Sequence, residues 1–354
     1  MAPSRRGWAV AAALAGAGCA ATTPSTPLPQ ETLVVLNAGD QTLSVLTLPA
    51  PESERTIVLG SLGAVPVALA ARGGSALVTT GVGSSVVRVD LNAGAALVIR
   101  LPAAAGAAGA AFVNDTLAYI ANPTADRATR LNLRTGDTAS VAAGQTPTAV
   151  AVTRGKVFVA DANLNPDCAG PLPCVAGPSW LTVIDPDRNA VVDSVPLPGP
   201  GNAMAIEVGG DGLLYVLNAG PGGDQPGRLS IVDPVLRQEV GNFGGFGILP
   251  SRLASDGRER LFVVSATEGL MEFNTRTRRV VRGAGGSAIP LQDGVAAAVD
   301  HNGLVYAVEA GSCAIGQGRV RVFRPDLTEA RVVPVGPCSA DAAIVQLPPV
   351  PTPP

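Results

Sequence analysis

The residues best suited to chemistry in this chain are few, and their types and spacing limit what they can do. Five cysteines occur: Cys19, Cys168, Cys174, Cys313 and Cys338. Four converging thiolates would hold zinc, whereas pairs would form disulfides. His301 is the only histidine. A Ser–His–Asp arrangement would have to use it, and a histidine-ligated copper would need several. It stands in DHNG (300–303), a run of turn formers. Asp185 and Asp187 in IDPDRN resemble a carboxylate pair, but Asp-Pro after an apolar run is a turn signal. The glycine runs at 221–227 and 244–247 lack the strand–loop–helix context of a phosphate cradle. No general base with a persuasive partner emerges.

The elements that must position these residues are strands. Of 354 residues, 47% are hydrophobic and 15% charged, so the chain can bury a large core. Gly 42 and Pro 31 suit many short strands joined by turns. Without Arg5 and Arg6 the chain carries 23 bases against 28 acids, which argues against nucleic acid as a partner.

Those two arginines belong to an address. Arg5 and Arg6 precede a short apolar run, Trp8–Gly18, which ends at Cys19. Residues 1–19 therefore predict a signal peptide, too short to remain as a spanning helix. LAGAGC from Leu14 resembles a bacterial lipobox, which implies acylation of Cys19. Gly16 stands where that pattern prefers Leu, leaving ordinary cleavage near Ala20–Ala21 as the alternative. SRRGW from Ser4 partly resembles a twin-arginine signal and reads more simply as two basic residues of an ordinary one. Residues 20–30 form a Pro/Thr-rich tether and 348–354 a Pro-rich tail. The expected location is the periplasm or cell surface, with the membrane reached through lipid alone.

Residues 31–347 repeat. A short apolar strand with a polar end recurs as VVLN (34–37), LVTT (77–80), YIAN (119–122), FVAD (158–161), YVLN (215–218), FVVS (262–265) and YAVE (306–309). Second and third strands follow each, and an Ala/Val-rich strand leads into the next unit. Four strands per unit and seven units predict an all-β, seven-bladed β-propeller. The first unit lacks an innermost strand, and DAAIVQL from Asp341 is one left over. Blade one is therefore expected to close with both N- and C-terminal segments. The blades resemble the YVTN-repeat propellers, best in LLYVLNAG (213–220), WLTVIDPDRNAVVDSVPL (180–197) and RLSIVDP (228–234). That resemblance implies architecture and carries over no catalytic residue.

The ring sorts the candidate residues. All four cysteines beyond Cys19 fall on one face, here the top, but on blades four and seven, nearly opposite each other. Two disulfides are thus expected, Cys168–Cys174 and Cys313–Cys338. The polar residues ending each repeated strand read as turn residues. One group escapes the repeat: Asn202, Arg252, Asp293 and Asp341 sit where innermost strands of blades five, six, seven and one begin. This rim patch suits a small polar ligand or, through Asp293 and Asp341, a divalent cation. Long loops at 162–179, 219–227 and 310–318 should wall it. The leading expectation is a monomeric binding module that meets a protein or small ligand with its top face and carries no cofactor. The alternative is a metal-dependent, lactonase-like hydrolase at the same rim; a redox propeller is weaker still.

Overall fold

The computed structural model describes residues 30–347 apart from 50, 52–53, 166, 168–173 and 314–315. The expected signal peptide, the tether but for Gln30, the tail, Cys19 and Cys168 lie outside the described residues.

Twenty-eight strands, β1 to β28 in chain order, form seven four-stranded antiparallel sheets among those residues. Their Val- and Leu-rich runs are buried on both faces because each sheet lies between two others. Seven apolar clusters fill the interfaces between consecutive blades. One joins Val34 and Leu36 of blade one to Val78 and Val87 of blade two, and another joins Phe158 and Val183 of blade four to Val216 of blade five.

Blade one is built from both ends of the described chain, as its missing strand implied. Here β1 (Gln30–Asn37), β2 (Thr42–Thr47) and β3 (Glu54–Val58) take β28 (Ser339–Leu347) as their innermost strand. β1 pairs with β28 from Gln30↔Leu347 to Asn37↔Ser339, with a bulge near Asp341. The strand begins two residues before Asp341, which places that carboxylate inside the mouth rather than on its edge. The bottom turn of blade seven adds a tie: His301 Nδ1 meets Glu31 Oε2, and its N–H donates to Glu31 Oε1 at 3.3 Å. That contact raises the histidine's affinity for a proton.

The other innermost strands are β4 (Ala68–Arg72), β8 (Ala110–Asn114), β12 (Pro147–Thr153), β16 (Ala203–Val208), β20 (Arg252–Ser255) and β24 (Gly294–Val299). Together with β28 they line a central cavity of about 610 Å³.

The polar residues at the ends of the repeated strands are more than turn formers. Asn37, Thr80, Asn122, Asp161, Asn218, Ser265 and Glu309 are all buried. Thr80 meets Ser85 Oγ at the start of its blade's third strand (2.9 Å). Four others bind a hydroxyl further along that strand: Asn37 Nδ2 donates to Ser44 (2.9 Å) and Asn218 Nδ2 to Ser230 (3.0 Å), while Asn122 and Asp161 accept from Thr129 (2.5 Å) and Thr182 (2.6 Å). Each of these four hydroxyls lies opposite the residue two places earlier in the second strand. Blade seven keeps the geometry and changes the chemistry, with Arg321 beside Glu309 at 3.4 Å. These staples satisfy polar groups where the top loops leave the sheets.

Candidate functional site

The rim patch divides in two. Asn202 and Asp293 occupy a repeated backbone position that also holds Thr146 and Cys338. All four have positive φ, between 54° and 59°, a region that Asn and Asp enter more readily than most residues. Their carbonyls accept from Ala219, Asp293's partner Ala310, Ala162 and Ala38 at 2.8–3.0 Å. Backbone conformation therefore accounts for the residue types at 202 and 293. Asn202 is buried; its Nδ2 donates to Gly220 O at 2.8 Å, while its Oδ1 has no hydrogen-bond partner. Asp293 is exposed, and among the described residues its carboxylate makes no hydrogen bond or ion pair.

Arg252 and Asp341 come together. They share one tier of the tunnel, Arg252 opposite Val264 and Asp341 opposite Leu36. Corresponding positions in blades two, four, five and seven hold Ala68, Ala149, Ala205 and Ala296. Arg252 reaches from blade six past blade seven: Nε lies 4.0 Å from Asp341 Oδ1, and Nη2 donates to Val67 O of blade two at 3.5 Å. Nη1 donates to Ser251 O at 3.2 Å. Asp341 accepts from Leu69 N and Ala342 N, each at 2.9 Å. Desolvation raises its pKa, which Arg252 and these N–H groups oppose. The guanidinium thus lies as a bar across the tunnel.

Sequence reasoning missed Glu207, on β16. It is half-buried on the wall of the same cavity, and desolvation there pushes its carboxyl up to about 7. The signal was present: aligned innermost strands place alanine at this position in every other blade. Among the described residues no three His, Cys, Asp or Glu side chains gather as a metal-binding group.

The long top loops at 162–179 and 310–318 lie in part outside the described residues. Cys313–Cys338 is a disulfide tying the blade-seven loop to the connection into blade one. Cys174 is also disulfide-bonded. None of the top loops among the described residues contains lysine or arginine, whereas Asp40, Asp126, Asp167, Asp224, Glu268 and Asp293 lie in them. Over blade two a separate groove is lined by Leu62, Val82 and Val98, with Val82 90% exposed.

No family model matches the chain, and no curated protein matches it in sequence. The architecture defined above is that of a seven-bladed β-propeller. Among solved structures, a chain of Kuenenia stuttgartiensis hydrazine synthase is similar, with a TM-score of 0.57 and 14% identity over 78% of this chain and 88% of that one. At that identity the likeness is one of fold.

Proposed function

We propose that this chain is an exported YVTN-type propeller, held to a membrane by lipid on Cys19, that binds a small polar ligand or protein partner with its top face. The observation carrying this reading is the Arg252 bar, an arginine held mainly by backbone carbonyls and a carboxylate 4.0 Å away. An incoming anion would replace weak contacts with a bidentate one. Asp293, exposed on the neighbouring blade, and Asn202, with its unpartnered Oδ1, complete the polar sector. Orientation supports the same reading: Gln30 and Leu347 pair at the bottom, so a tether there leaves the top face pointing away from the membrane.

The test is a thermal-shift screen of small carboxylates, phosphates and amino acids. A ligand that raises the melting temperature of the wild type, and not of Arg252→Ala, supports the reading. Ligands indifferent to both Arg252→Ala and Asp341→Ala would overturn it, as would metal-dependent hydrolysis of a lactone panel lost in Asp341→Ala. Cys19→Ser should move the protein from the membrane fraction to the soluble one, because the remaining tether offers no second anchor. Continued pelleting would replace lipid with a protein attachment.

A further inference from the structure

One register position of the innermost strands lies opposite the first residue of each repeated strand motif. It reads Ala70, Ala111, Ala151, Ala254, Ala298 and Ala343 in six blades. Blade five places Glu207 there, opposite Tyr215. A carboxylate in place of a methyl group bears a desolvation cost unless something compensates it. Here the only opposing influence comes from the neighbouring Val208 N–H.

No basic side chain makes up the difference. Among the described residues three ionisable ones line the cavity, Glu207, Arg252 and Asp341, and the last two face each other one tier above, about 6–7 Å along the strands. On the strands packed against β16, the charged or titratable groups are Tyr215 in blade five, Lys156 and Asp161 in blade four, and Arg252 in blade six. Each is engaged elsewhere: Tyr215 with Asp211, Lys156 with Asp185, Asp161 with Thr182 and Arg252 with Asp341. With Arg252 offset by Asp341, the tunnel keeps one formal negative charge, set among alanines.

We propose that Glu207 anchors a second site, inside the tunnel, for a small aliphatic amine, its ammonium against the carboxylate and its carbon chain along the alanines that line the cavity. A charge held at a cost with no counter-ion is half of an ion pair whose other half arrives as ligand. The cavity has room for a molecule of several carbons. This site does not depend on ligand binding at Arg252.

Calorimetric titration of the purified protein with n-butylamine tests it, at about pH 8.5, where Glu207 is ionised and the amine remains protonated. Saturable binding is expected, weakened about tenfold or more by Glu207→Gln, by Glu207→Ala and by lowering the pH to about 5.5. Uncharged n-butanol should not bind at this site, and Arg252→Ala should retain amine binding. Both Glu207 variants should melt at or above the wild type, since six blades already carry alanine. Absence of saturable binding would overturn the proposal, as would equal binding by Glu207→Gln or loss in Arg252→Ala alone. Variants melting well below the wild type would make Glu207 a structural residue and also overturn it.

Discussion

Asp161 is the one carboxylate among staples that elsewhere use Asn, Thr or Ser, apart from the ion-paired Glu309. It is fully buried, and desolvation pushes its carboxyl up to about 7 against hydrogen bonds from Thr182 and Gly144. Its folded pKa therefore lies above the ordinary value near 4. The folded chain holds a proton that the unfolded chain releases between about pH 4 and 7. The stability this contributes is complete below about pH 4 and is lost as pH rises through 7. Asp161→Asn copies Asn218 facing Ser230 and should flatten that slope, adding about 1–4 kcal/mol at pH 8. Urea denaturation from pH 4 to 8 checks it; an unchanged slope would assign the proton elsewhere. The residue types of these staples were plain in the sequence, but their role was not. Asp161 and Thr182 are separated by an insertion that hides their adjacency, and only strand register reveals it. Arg252 is a sharper case, since its partners Val67 and Asp341 are brought close by closure of the ring.

At the scale of elements, the repeated motifs fall in the second strand of every blade. Their apolar runs report burial on both faces, a signal local to each strand. Innermost strands were harder to delimit: β28 starts at Ser339 and carries a bulge, a backbone irregularity that side-chain pattern does not record. The disulfide Cys313–Cys338 closes a separation of 25 residues, which loop entropy values at about 3 kcal/mol. Replacing both cysteines by serine should lower the melting temperature by several degrees. It should also increase protease cleavage near residue 313, since that loop loses its link to the connection into blade one. A double variant with unchanged melting and cleavage would show the loop to be held by other contacts.

The whole molecule depends on one closure. Removing residues 339–347 would strip β1 of its inner partner and open the tunnel wall between blades seven and two. The truncated chain should unfold or associate through the bare edge of β1. Light scattering after gel filtration and thermal denaturation would register either outcome; a monomer with unchanged melting would contradict the closure.

The same strand makes the molecule's resistance to force depend on direction. Gln30 and Leu347 sit side by side at one end of an antiparallel pair, so tension applied between those two points peels their hydrogen bonds apart one at a time and needs little force. Tension between Gln30 and the top face acts differently. It draws β1 lengthwise between β28 and β2, and every bond in both ladders must give way together. A propeller held at its first strand and loaded from its top face would thus meet the load in shear, its strongest direction.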